Sequence, residues 1–305
     1  MKVFVTGASG YIGTVVAAAA QAHGHQVLGL ARSDSVATQL GALGIEPLLG
    51  DMRDGACLIV GAQRADAVIH CAAIRGPEMA AADREAVTTL LGALARSGKP
   101  FIYTGSAFVY GDTGNRVVDE DAPLSPTAIG PWRQAIEGDI LAAASGVHGV
   151  VLRVPLVYGH GGSFILPRLI ERARTDGVAF YVGTGENHWS TVHVDDLADL
   201  YVRALERAPA GSVFNAAAAP AVQWRRLAQA IGHAAGVGDQ VASWSVEDAS
   251  RLFGPYGLGF SENQRLSAAR ATSVLGWDPH ACSVLDDLER GSYMVRQSTG
   301  GVPHV

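Results

Sequence analysis

The sequence predicts a doubly wound α/β fold, a parallel sheet covered by helices on both faces, followed by a smaller C-terminal domain. Three observations predict it. From residue 1 to about 155, short β-branched runs alternate with alanine-rich helical stretches. The strand candidates are near-continuous apolar runs, as strands buried on both faces require. The first of them leads straight into a glycine-rich turn and then a helix, and strand–helix alternation of this kind specifies parallel strands with helical crossovers.

In order, the apolar runs place strands at Lys2–Thr6, Gln26–Ala31, Glu46–Leu49, Ala67–His70, Phe101–Thr104 and Gly149–Arg153. Between them, helices are expected at Tyr11–His23, Ser35–Leu43, Ala81–Ser97 and Pro131–Ser145. After Gly162 the rhythm changes. A helix at Phe164–Thr175, a strand near Val178–Val182 and a helix opening at Asp195–Asp196 come first. Helices at Trp224–Ala235, Val246–Phe253, Ser267–Leu275 and Val284–Tyr293 follow, with a glycine-dense loop at Gly254–Gly259 and a loose tail after Gln297. Residues 1–160 therefore read as the large domain, with 188–216 returning to it. Residues 161–187 and 217–305 form the smaller one.

Composition narrows the function classes. The 305 residues carry a formal charge of −6, with 48% hydrophobic and 17% charged residues, which excludes a disordered or low-complexity chain. An acidic balance argues against a nucleic-acid partner. The apolar stretch Val15–Ala20 is too short to span a bilayer, and Met1–Lys2 leads into three apolar residues before Thr6–Gly7, too few for a secretory signal core. Cys57, Cys71 and Cys282 are few and unpatterned, as in a reducing compartment. The expectation is a cytoplasmic protein with no membrane partner. Among the ten histidines no HExxH or paired CxxC pattern occurs, so no metal site is expected. Lys2 and Lys99 are the only lysines, and the remaining basic residues are arginines.

The first strand opens into Thr6-Gly7-Ala8-Ser9-Gly10-Tyr11-Ile12-Gly13. Glycines at this spacing permit a tight turn and bring backbone close to a pyrophosphate, whose charge meets the N-terminus of the following helix. Further motifs follow in order: Gly50-Asp51-Met52, His70-Cys71-Ala72-Ala73, Ser106-Ala107-Phe108-Val109-Tyr110-Gly111, Arg153-Val154-Pro155 with Val157-Tyr158-Gly159, and Val192-His193-Val194-Asp195-Asp196. Together they resemble the extended short-chain dehydrogenase/reductases, the superfamily of nucleotide-sugar epimerases and dehydratases, over nearly the whole chain up to about residue 215.

The resemblance implies a Rossmann-type sheet with a substrate-binding C-terminal domain. It also implies a dinucleotide held by Gly7, Ser9, Gly10, Tyr11, Ile12 and Gly13, by Asp51 and Met52 at the adenine, and by Cys71, Ala72, Ala73 and Pro155. Where an NAD enzyme places a carboxylate after the second strand, this chain has Ala31 followed by Arg32 and Ser33. A guanidinium there suits a 2′-phosphate, so the expected cofactor is NADP (NADPH).

Ser106 ends the fifth strand and matches the catalytic serine of the resembled family. The signature YxxxK is missing. Counting back from Glu137 puts Arg133 at the lysine place and Ile129 at the tyrosine place, and no tyrosine occurs between Tyr110 and Tyr158. Arg133 can supply positive charge but is a poor proton relay. By position, Tyr158 and His193 are the candidates for the missing acid. The expected activity is NADPH-dependent reduction of a small organic carbonyl, imine or conjugated acceptor. The alternatives are an epimerase or dehydratase-type enzyme that uses nicotinamide transiently, or a non-catalytic NADP-binding sensor or scaffold.

The helices at Ala81–Ser97 and Pro131–Ser145 match those that form a four-helix interface in the resembled family, and both carry small residues, including Ala93, Ala135 and Ala142. A homodimer is therefore expected. Light scattering at micromolar concentration should give twice the chain mass; a monomer mass would refute the dimer.

Overall fold

The computed structural model describes residues 1–127 and 129–294. The tail after Gln297 lies outside the described residues. Seven parallel strands form the central sheet: β1 (Lys2–Thr6), β2 (Gln26–Ala31), β3 (Glu46–Leu49), β4 (Ala67–His70), β5 (Pro100–Ser106), β6 (His148–Val154) and, after three strands of smaller sheets, the late strand Ser212–Asn215. From one edge the order is β3-β2-β1-β4-β5-β6 and then the late strand. Between β1 and β4 the direction of winding reverses, and an open α/β sheet places its ligand crevice outside the carboxyl ends of strands at such a point.

The crossovers are α1 (Tyr11–Ala22), α2 (Asp34–Ala42), α3 (Gly55–Arg64), α4 (Met79–Leu94) and α5 (Pro131–Ala142). Pro131 opens α5, where a missing N–H and a fixed φ favour the first helical turn. The sequence analysis places no helix over α3, whose β-branched Ile59 and Val60 favour a strand locally. Asp54 overrides that local preference: its carboxylate accepts from the Cys57 N–H at 3.1 Å and caps the helix.

Two apolar layers cover the sheet. One packs α1 and the later helix Val194–Arg207 against Val3, Val5, Ile69, Ile102 and Leu152. The other packs α3, α4 and α5 against Phe4, Val68, Phe101, Tyr103 and Val151. Arg153 on β6 is buried, with Nε donating to Glu137 of α5 at 3.0 Å and Nη1 donating to the Tyr110 hydroxyl at 2.7 Å. Tyr110 in turn donates to Asn215 at 2.8 Å. A buried charge is tolerated only when paired in this way, and the pairing pins α5 over the crevice.

Beyond β6 the chain runs through β7 (Leu156–Tyr158), α6 (Leu166–Asp176), β8 (Ala179–Val182), β9 (His188–His193), α7 (Val194–Arg207), β10 (Ser212–Asn215), β11 (Ala218–Gln223), α8 (Trp224–Ala235) and β12 (Val241–Trp244). It continues with α9 (Val246–Phe253), α10 (Tyr256–Gly259), α11 (Ala269–Leu275) and α12 (Val284–Arg290). Of the stretch expected to return to the main sheet, β10 does so by pairing with β6, whereas β9 pairs with β7 and β11 in a separate three-stranded sheet. The region around Gly254–Gly259, expected as loop, contains the short helix α10. Its formation rests on packing: Gly257 abuts Ser250 of α9, where a Cβ would come within 2.3 Å of the backbone.

A second core, built on Trp224, Phe180, Phe253, Phe260 and Trp189, fills the C-terminal region. No helix of the described residues is long and apolar enough to cross a membrane.

Candidate active site

The crevice at the switch point is a cleft of about 500 Å³, the size that suits a cofactor or small ligand. Its floor is the β1–α1 turn. Gly7 has φ +77°, a conformation that favours glycine, and a Cβ there would meet Ala72 backbone at 2.8 Å. A Cβ on Gly13 would fall 2.0 Å from the Gly7 carbonyl oxygen, so α1 can start this close to the turn only with glycine. Helix α1 has no side-chain cap at Gly10. Its first-turn N–H groups and the positive end of its dipole are left for an anion. The turn fits a dinucleotide pyrophosphate.

Most of the residues singled out from sequence line this cleft. Gly7, Ser9, Gly10, Tyr11, Ile12, Gly13, Arg32, Asp51, Met52, Cys71, Ala72, Ala73 and Pro155 do so, as do Ser106, Ile129 and Arg133. Ser33 does not line it. Its hydroxyl accepts from the Val36 N–H at 3.4 Å and caps α2. Cys71 is an inert wall: its Sγ donates to the Thr6 carbonyl at 3.1 Å, and burial pushes its thiol up to about 12. The Tyr11 hydroxyl is tied to the Gly159 carbonyl at 2.9 Å.

The two proton-donor candidates from sequence also fall outside the cleft lining. Tyr158 turns toward the C-terminal helices, donating to the Cys282 carbonyl at 2.6 Å, and burial raises its pKa. His193 is buried, stacked edge-on against Tyr158 at 5.3 Å, and its Nδ1 accepts from the Asp195 N–H at 3.2 Å as the cap of α7. Both side chains serve packing and capping. His193 belongs instead to a cluster with His160 and Asp195, three groups close enough to share an ion, which sequence reading did not anticipate. Asp195 accepts from His160 Nε2 at 3.0 Å, so these groups already satisfy one another.

Arg133 sits at the end of a buried polar chain. Its Nη1 donates to the Thr104 carbonyl at 3.0 Å and to the Tyr103 hydroxyl at 3.3 Å. Tyr103 donates to Asp83 at 2.5 Å, and Asp83 also accepts from His70 Nε2 at 3.0 Å. A carboxylate only accepts, so His70 carries its proton on Nε2, and Nδ1 accepts from the Thr6 hydroxyl at 2.7 Å. The chain thus runs from the start of the glycine turn to the guanidinium. Burial pushes the Asp83 carboxyl up, but the hydrogen bonds from His70 and Tyr103 and the charge of Arg133 outweigh it and hold the carboxyl below its ordinary value.

Cleft residues that sequence reading missed include Asp83, Arg75, Tyr256 and Gln264. Asp83 left a signal, because a carboxylate falls in the helical stripe of Ala82, Ala86, Val87, Leu90 and Leu94. Tyr256 lies on α10, and Gln264 forms a bridge beside Trp189 of β9. Burial raises the Tyr256 phenol, with Arg133 and Arg75 opposing it.

A sequence model of the NAD dependent epimerase/dehydratase family matches residues 3–217. The chain belongs to that family. An uncharacterised protein of Schizosaccharomyces pombe is 32% identical over 301 residues, covering 96% of this chain and 100% of the relative. A 3-diazoavenalumate denitrifying reductase of a Streptomyces species is 30% identical over 323 residues, covering 95% and 100%. Among solved structures, the dTDP-glucose 4,6-dehydratase DesIV of Streptomyces venezuelae, with NAD and TYD bound, superposes with a TM-score of 0.79 at 20% identity, covering 96% of each chain. The family is described by its epimerases and dehydratases, and the Streptomyces relative is named a reductase.

A carboxyl whose folded-state pKa lies below its unfolded value stabilises the fold above that unfolded value, near 4, and the contribution is lost as pH falls through the folded pKa. Asp83→Asn should therefore cost on the order of 2–4 kcal/mol near neutrality, and the gap to the unmutated protein should narrow below about pH 4. Urea unfolding at pH 7 and pH 3 measures both, and a gap that stays constant would contradict the ionised assignment.

Proposed function

We propose that the protein is an NADPH-dependent reductase that delivers a hydride to a small organic carbonyl, imine or conjugated acceptor. The observation that carries this reading is the meeting of Ser106 and Arg133 with the apolar Ile129 beside the glycine turn, in one cleft. When bound, NADPH supplies the hydride. The turn and the α1 N-terminus hold the pyrophosphate, and Arg32, on the cleft wall at the end of β2, pairs with the 2′-phosphate. Among the described residues the Ser106 hydroxyl accepts only the weak Phe108 N–H bond at 3.3 Å, so its proton is free to stabilise negative charge growing on the acceptor. Arg133, locked by Thr104 and Tyr103, adds fixed positive charge nearby.

Epimerase and dehydratase chemistry must begin by removing a proton from a substrate hydroxyl, and Ile129 cannot do so. With Tyr158 and His193 turned away, an acceptor that takes hydride without strong acid help fits the cleft best. The reductase activity named for the Streptomyces relative supports the reductive direction. Tyr256, which lines the cleft, is the phenol that offers a second route for a proton.

Arg32→Ala should weaken NADPH binding by about 1–3 kcal/mol and spare NADH, as read by fluorescence titration. Equal affinity of the unmutated protein for the two cofactors would sink the NADPH preference.

Ser106→Ala should lower turnover of conjugated acceptors by roughly tenfold to a thousandfold, the range for one lost oxyanion donor. Ile129→Tyr should leave it within about threefold. Rapid reduction of simple ketones that disappears in Tyr256→Phe would instead identify Tyr256 as the acid and reject the activated-acceptor reading.

A further inference from the structure

The cleft is also walled by rings that come from four separate parts of the chain. Phe108 follows β5, Phe164 precedes α6 and Tyr256 opens α10, and behind them lie the buried Trp189 of β9 and Phe260 after α10, all five among the cleft-lining residues. The rings are mutually braced. Phe108 meets Trp189 edge-on at 5.7 Å and Tyr256 edge-on at 6.0 Å, while Phe164 leans on Tyr256 at 5.2 Å. Gly259 leaves the gap into which Phe108 and Ile129 project, since a Cβ there would lie 2.8 Å from Phe108 and 3.6 Å from Ile129. Phe164 remains 41% exposed at the cleft, and the Arg75 guanidinium stands 5.2 Å from its ring centre.

Gln264 lines the same wall with its side chain fully enclosed, at 1% exposure, yet its Nε2 has no hydrogen-bond partner among the described residues. The backbone around it cannot shift to help. Its N–H donates to the His188 carbonyl and its carbonyl accepts from the Ser190 N–H, both at 2.7 Å. A buried amide donor without an acceptor is costly, and turning the amide into the cleft it lines, toward an acceptor on a bound molecule, relieves the cost.

We propose that this wall is a substrate subsite for a planar aromatic molecule whose oxygen accepts from Gln264. Flat rings pack against braced aromatic side chains in offset or edge-on arrangements. The subsite defines the substrate class of the reductase proposed above, and to that extent rests on it.

The test titrates three probes calorimetrically into the protein, with and without NADP⁺: 1-naphthamide, cyclohexanecarboxamide and UDP-glucose. The two amides share one acceptor oxygen and differ in flatness. 1-Naphthamide should bind at least tenfold more tightly than either other probe. Gln264→Leu and Phe164→Ala should each weaken it several-fold; the second removes a part-exposed ring and should leave Tm unchanged, so a folding defect cannot account for the loss. Equal affinity for the two amides, tighter binding of UDP-glucose, or indifference to both substitutions would overturn the subsite. If 1-naphthamide binds as expected while NADP⁺ does not bind, the cofactor reading falls and the subsite stands. If NADP⁺ binds and 1-naphthamide does not, the subsite falls alone.

Discussion

The contact between Gly13 and the Gly7 carbonyl governs the molecule. A side chain at Gly13 would collide with that oxygen at 2.0 Å, so the helix could not begin where it does. Because it begins there, the amides of the first helical turn face the point where the sheet reverses its winding, and Ala72 can lie against Gly7. Every other element of the cleft is placed around this turn. Ser106 arrives at the end of a strand two places away, and Arg133 arrives on a helix held down by the buried Arg153–Glu137 pair.

A second constraint joins the turn to the chemistry. Thr6, His70, Asp83, Tyr103 and Arg133 form one hydrogen-bonded chain through the interior. Each member has its partner, which is the condition under which a buried polar network gives rigidity and not instability. The guanidinium therefore keeps its orientation although its own side chain is long and flexible, and an arginine, always charged, can stand there without serving as a proton carrier.

The parts of this arrangement legible in the sequence were the local ones. The first six strands of the large sheet announce themselves as apolar runs, and the glycine turn as a spacing between a strand and a helix. Those signals survive because each depends on neighbours within a few residues. Helix α3 was hidden because Ile59 and Val60 favour a strand and only the Asp54 cap decides otherwise. Tyr158 and His193 occupy motif positions that suggested the cleft, but strand alternation and a helix cap turn both away from it. Tyr256 and Gln264 carry no local mark at all. They reach the site through pairings with Phe108 and Trp189, residues far away in the chain, and such contacts are set by tertiary packing alone.

The C-terminal segment is sewn into the body of the protein and not merely laid upon it. Backbone bonds join Thr113 to Asn263 and Val118 to Arg265, and Trp277, wholly buried, donates to the Asp196 carbonyl from within the layer that covers the large sheet. The stretch matched by the family ends at residue 217, yet the polypeptide cannot be divided there. A fragment cut at that boundary would lose the indole that plugs its own interior and would bare the apolar flank of α7. Exchange of C-terminal halves between relatives, an obvious way to transplant specificity, would therefore have to carry the Asp196–Trp277 joint and the 113–118 seam along with the aromatic wall.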